Sequence, residues 1–168
     1  RKKIPNTSMK RFNISLCAFL TVGNFMGMTQ ERSTPNISKP ESWIECEGNY
    51  GGHLQGVATD GRFIYWSHTV QLVKTDLEGK VLTRINVASH HGDLTYHDGK
   101  VYVAVEFGEF NRPPGESDPS VYVYDGATLE FLSKHPVKEL VHGCGGIAFH
   151  DGRFNLGGGL TGDHQKNY

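Results

Sequence analysis

The dipeptide Asp-Gly recurs three times in one frame: Val57-Ala58-Thr59-Asp60-Gly61-Arg62-Phe63, Leu94-Thr95-Tyr96-His97-Asp98-Gly99-Lys100-Val101 and Ile147-Ala148-Phe149-His150-Asp151-Gly152-Arg153-Phe154. Between two short apolar, β-rich runs such a pair predicts a hairpin, because Asp and Gly tolerate the positive φ angles of a type I′ turn. A second block repeats downstream of the first two hairpins. Leu72-Val73-Lys74-Thr75-Asp76-Leu77-Glu78-Gly79-Lys80-Val81-Leu82 and Val121-Tyr122-Val123-Tyr124-Asp125-Gly126-Ala127-Thr128-Leu129-Glu130-Phe131 both read as strand, polar turn, strand. The unit is therefore four strands, a to d. The Asp-Gly pairs stand 38 and 53 residues apart, and the difference falls in the connections while the frame is kept.

A period of about 40 residues with four strands per unit is the signature of a β-propeller blade. The expected fold is all-β, a propeller of four-stranded antiparallel blades with about two and a half blades between residues 44 and 168. On the three Asp-Gly hairpins, Ile64-Tyr65-Trp66-Ser67, and the turns Thr75-Asp76-Leu77-Glu78-Gly79 and Tyr124-Asp125-Gly126, the sequence resembles the six- and seven-bladed propellers with NHL, YWTD and SMP-30-like repeats. It departs from the YWTD pattern at Ser67-His68, where Thr-Asp would stand. The resemblance implies the fold and no catalytic residue, since one fold hosts many functions.

Propellers close with about four to eight blades, and an open one leaves unpaired strand edges. The expectation is thus a fragment whose reading frame continues beyond Tyr168, with assembly from several chains as the alternative. At the other end, Met9-Lys10-Arg11 followed by Phe12-Asn13-Ile14-Ser15-Leu16-Cys17-Ala18-Phe19-Leu20 has the charged and then short apolar regions of a secretory signal peptide. The domain reading is upstream read-through for residues 1–8, signal peptide for 9–29 with cleavage before Gln30, a flexible linker for 30–43 and the partial propeller for 44–168. The apolar run is too short and too polar to span a bilayer. A secreted or periplasmic protein with no stable membrane span follows.

Removing residues 1–29 takes away Arg1, Lys2, Lys3, Lys10 and Arg11 and no acid, so Lys plus Arg falls from 17 to 12 against 18 Asp plus Glu, a net charge of −6. A domain of that sign lacks the basic footprint of a nucleic-acid binder. Cys46 and Cys144 survive the cleavage; a disulfide between them and two separate buried thiols both remain open.

In a four-stranded meander the starts of strands a and c and the ends of b and d emerge on one face. Aligning the hairpins brings His53 and Gln55, His90 and His91 with Asp93, and His142 and Cys144 to that face, at the mouth of the propeller's central channel. Imidazoles converging there would suit a divalent transition metal such as zinc. His53, His90, His91 and His142 are the candidate metal ligands; polar channel lining is the plainer reading of the same residues. The longest insertion, Gly108-Glu109-Phe110-Asn111-Arg112-Pro113-Pro114-Gly115-Glu116-Ser117-Asp118-Pro119, joins strands b and c and overhangs the same mouth. Long loops on rigid scaffolds commonly carry recognition. Gln55, Asp93, Glu106, Glu109, Phe110 and Arg112 are accordingly the candidate ligand-binding residues.

Other features carry less. Leu156-Gly157-Gly158-Gly159-Leu160 lacks the Lys-Ser/Thr of a phosphate loop, His97 and His150 precede turns on the opposite face, and Phe63, Tyr65 and Trp66 fit a core between blades. Two functions follow from different classes. One is an exported, non-catalytic propeller that binds a protein or carbohydrate ligand through its channel mouth; the other is a metal-dependent lyase or hydrolase with a histidine-lined site at the axis.

Overall fold

The computed structural model describes residues 45–160. The readings made for residues 1–8, 9–29 and 30–43 lie outside the described residues. Among the described residues the secondary structure is ten strands and no helix, and no helix there is long and apolar enough to cross a membrane. Strands β1 (Leu54–Thr59), β2 (Ile64–His68), β3 (Gln71–Thr75) and β4 (Val81–Asn86) form one four-stranded antiparallel sheet in sequence order. Strands β5 (His91–His97), β6 (Lys100–Glu106), β7 (Pro119–Asp125) and β8 (Phe131–Pro136) form a second. Strands β9 (Cys144–His150) and β10 (Arg153–Gly158) pair as a third, two-stranded unit. Four strands per repeat, in a meander, is what the repeated frame predicted.

Two of the three Asp-Gly hairpins have the expected turn. Asp98 and Gly99 take φ of 44° and 75°, Asp151 and Gly152 take 48° and 73°, and the flanking pairs are His97 with Lys100 and His150 with Arg153. Both central residues thus lie at positive φ, as a type I′ turn requires. The first pair differs. Thr59 pairs with Ile64, so the loop has four residues, Asp60 to Phe63, and only Gly61 takes a positive φ. Asp60 turns the chain with its side chain: Oδ1 accepts from the N–H of Arg62 (2.8 Å) and Phe63 (2.7 Å). Two extra residues, Arg62 and Phe63, make the carboxylate turn available where a two-residue turn would be too tight. Asp76 and Asp125 do the same work in the β3–β4 and β7–β8 connections, capping the N–H groups of Glu78 and Lys80, and of Ala127 and Thr128.

The first strands of the three units neighbour one another, β1 beside β5 and β5 beside β9. Glycines permit this approach. A Cβ on Gly56 would lie 2.8 Å from Asp93 Cα, and one on Gly92 would lie 2.8 Å from the carbonyl oxygen of Gly145. Strand β6 is buried on both faces and reads as the continuous apolar run Val101-Tyr102-Val103-Ala104-Val105. Val101, Val103 and Val105 join Tyr65, Leu72, Leu94, Tyr124 and Leu129 in the core between the first two sheets. Ala104 packs on the other side with Val121, Cys144 and Ile147. At about 1.5–3 kcal/mol per buried aliphatic side chain, these two layers are the main attraction holding the sheets side by side.

Candidate functional site

An antiparallel meander necessarily collects the starts of β1, β5 and β9 with the ends of β2, β6 and β10 at one end of the sheets, here termed the first-strand end. A cavity of about 240 Å³ opens there, lined by Gln55, His90, His91, Gly92, Phe110, Cys144 and Gly145. All three units contribute to it. Phe110 comes from the long β6–β7 connection, which crosses to the third unit. Its ring lies so close to the main chain that a Cβ on Gly143 would be 2.8 Å from Cδ1 and one on Gly145 would be 3.1 Å from Cζ. Asn111 extends the same seam, its N–H donating to His142 O (3.1 Å) and its Oδ1 accepting from Leu160 N (2.9 Å).

The four histidines proposed as metal ligands do not form a donor set. His53 is exposed in the approach to β1, where its backbone exchanges hydrogen bonds with Thr69, and it does not line the cavity. His142 donates from Nδ1 to the carbonyl of Arg112 (2.8 Å) and so ties down the insertion. His91 lines the cavity but is only 1% exposed, and both ring nitrogens are engaged: Nδ1 donates to Ala88 O and Nε2 accepts from the Tyr124 hydroxyl, each at 2.7 Å. Burial pushes its pKa down to about 4, only partly opposed by the Ala88 carbonyl, so the ring is neutral at pH 7. His90 alone of the four lines the cavity with no hydrogen-bond partner for its ring among the described residues. Among those residues, no three His, Cys, Asp or Glu side chains converge as a metal would require.

The candidate ligand-binding residues also divide. Gln55 and Phe110 line the cavity. Gln55 donates from Nε2 to Thr69 Oγ1 (3.2 Å), which leaves Oε1 as an acceptor with no hydrogen-bond partner among the described residues. Asp93 lies against Gly56 instead, its Oδ1 accepting from Leu94 N. Glu109 and Arg112 pair with each other at 2.8 Å on the exposed loop, an interaction of little energetic consequence in water. Glu106 is 1% exposed and accepts from three backbone N–H groups, those of Gly108, Asp118 and Cys144.

Two contributors escaped the sequence reading. Thr69 sits in the β2–β3 connection and orders both His53 and Gln55 through one hydroxyl. Tyr124 lies on β7, in what reads as plain core, yet its hydroxyl fixes the His91 ring. Nothing in their local sequence marks either one. Cys144 forms no disulfide, and neither does Cys46. The Cys144 thiol is pushed up to about 11 by burial, with the Glu106 charge adding to it, so at neutral pH it is a protonated wall and not a nucleophile.

No family model matches the chain, and no curated protein matches it. Among solved structures it is similar to the computationally designed Ika4 protein, at 12% identity and a TM-score of 0.42 over 71% of this chain and 93% of that one. It is also similar to Kuenenia stuttgartiensis hydrazine synthase, at 12% identity and a TM-score of 0.30 over 55% of this chain and 38% of that one. At these scores neither assigns a fold family or an activity.

Proposed function

We propose that this chain is part of an exported β-propeller that binds a carbohydrate unit in the cavity at its first-strand end. The four-stranded meanders, the neighbouring first strands and the repeated turn chemistry support the propeller; Met9-Lys10-Arg11 and the apolar run after it support export. The observation that carries the binding reading is the composition of the cavity wall: the Gln55 carbonyl and the His90 ring without partners among the described residues, beside the part-exposed Phe110 ring. A sugar ring offers C–H groups to an aromatic face and hydroxyls to an amide and an imidazole. A few convergent polar groups in an otherwise neutral hollow are the usual make-up of a small-ligand site. The size, about 240 Å³, suits one such unit and not an extended peptide.

A metal-dependent lyase or hydrolase has less to stand on, because His53 does not line the cavity, His142 spends Nδ1 on the Arg112 carbonyl and His91 has no nitrogen to give. The test is an NMR titration of the full chain with a panel of free hexoses, N-acetylhexosamines and their short oligomers. Shifts concentrated on Gln55, His90, Gly92 and Gly145 are expected, and they should vanish in Phe110→Ala. A panel that moves none of these resonances would refute the carbohydrate reading.

A further inference from the structure

Glu106 stands at the end of β6 as a carboxylate almost fully removed from water, and among the described residues no Lys, Arg or His side chain pairs with it. A buried charge without a counter-ion is costly to keep unless its lone pairs are well used. Here they are used in one particular way. Oε1 accepts from Gly108 N (2.7 Å) and Asp118 N (2.6 Å), the two ends of the insertion that carries Phe110. Oε2 accepts from Cys144 N (3.2 Å), the first residue of β9. The backbone N–H of Glu106 itself donates to His90 O (3.1 Å). Phe110, Cys144 and His90 are three walls of the cavity, they come from three separate stretches of chain, and all of them are tied to this one side chain and its own amide.

We infer that Glu106 is the positioning residue of the cavity: its carboxylate pins both ends of the β6–β7 insertion to the start of β9 and so sets Phe110 over the opening. The sequence suggested Glu106 as a ligand contact; its role is to hold the groups that make the contact. The inference rests on the proposed function only in calling the cavity a ligand site. The geometry also gives the two oxygens different tasks, which a single amide oxygen cannot both perform. In Glu106→Gln the carbonyl can keep the two loop amides, and the NH₂ group then faces the N–H of Cys144.

The test is amide hydrogen exchange by NMR on the full chain, with Glu106→Gln and Glu106→Ala beside the wild type. Hydrogen bonds to a charged acceptor set the scale, so Cys144 exchange is expected to rise roughly 10–100-fold in Glu106→Gln. Gly108 and Asp118 should change less, and the amides of the β6–β7 ladder around Val103 should not change. In Glu106→Ala all three amides should open, and the proton contacts between the Phe110 ring and Gly143 should disappear. An increase confined to any of the three amides in Glu106→Gln supports the inference, whichever way the amide is turned. Unchanged protection at all three, or an increase spread evenly along β6 and β7, overturns it. The glutamine variant keeps the test decisive if the alanine variant fails to fold. No ligand enters the measurement, so failure to bind any sugar would strike the preceding reading and not this one.

Discussion

The same two four-stranded sheets meet at two ends, and the polar chemistry at those ends is arranged in opposite ways. At the turn end, Lys74 of the first sheet reaches the second and donates from Nζ to the carbonyls of Gly126 (2.8 Å) and Ala127 (3.0 Å), with the Phe63 ring 4.1 Å away. The Tyr65 hydroxyl donates to Gly126 O (2.9 Å), and Tyr65 stacks on Tyr96. Gly126 N in turn donates to Gly99 O. Every buried polar group in that set has a partner inside the fold. At the first-strand end, Thr69, His91 and Glu106 are satisfied in the same manner, but Gln55 and His90 line the opening with a carbonyl and a ring that bond nothing among the described residues. One end is closed polar chemistry that fixes how the sheets meet; the other is closed chemistry that holds out a few open groups. The binding reading proposed above rests on this contrast.

The sharpest way to break the comparison is to cut the turn end. Tyr65→Ala removes a nearly fully buried ring from the core and should cost about 4 kcal/mol, measured by urea unfolding, in the range expected for truncating a buried aromatic. A cost below about 1 kcal/mol would mean that this end is not what holds the sheets together.

Acid should act next most strongly, and at the other end. The His91 pKa is depressed from 6.5 to about 4, first by burial, so the unfolded chain takes up a proton that the folded one refuses. Its contribution is present in full above pH 6.5 and is lost as pH falls towards 4, on the order of 3 kcal/mol in all. Unfolding curves at pH 7, 5.5 and 4 should show that loss in the wild type and a shallower one in His91→Gln. Lys74→Ala ranks third. It leaves the Gly126 and Ala127 carbonyls short of a buried donor and should cost about 2 kcal/mol at neutral pH.

How far the sequence foretells this depends on the distance over which each feature is written. The Asp-Gly turns, the polar turns at Asp76 and Asp125 and the four-strand frame are local: turn chemistry and period-2 patterning fix them within a few residues, so they are legible. The first hairpin shows the limit of that rule. Asp60-Gly61 matches the other pairs by letter, but Arg62 and Phe63 enlarge the loop and hand the turn to the Asp side chain. The face that gathers Gln55, His90 and Phe110 was also legible, since an antiparallel meander dictates which strand ends emerge together. Side-chain direction was not. His53 and His142 stand at positions equivalent to His90, yet Thr69 organises the backbone of the first and the Arg112 carbonyl holds the ring of the second. The partners that decide each outcome lie 16 and 30 residues away, beyond any local pattern.

The smallest expected effect is the most informative one. His90→Ala truncates an exposed ring that bonds nothing among the described residues and should change stability by no more than about 0.5 kcal/mol, while Gln55→Ala also removes the bond to Thr69 and should cost at most about 1 kcal/mol. If the open groups serve a ligand, the same two variants should each weaken sugar binding about tenfold, as losing one productive hydrogen bond does. Tyr65→Ala and Lys74→Ala should give the reverse pattern, large in stability and small in affinity for the fraction that remains folded. Comparing urea midpoints with NMR binding isotherms across the four variants checks both axes together. Parallel losses in stability and affinity for Gln55→Ala and His90→Ala would make these residues part of the closed network, and the distinction between the two ends would fail.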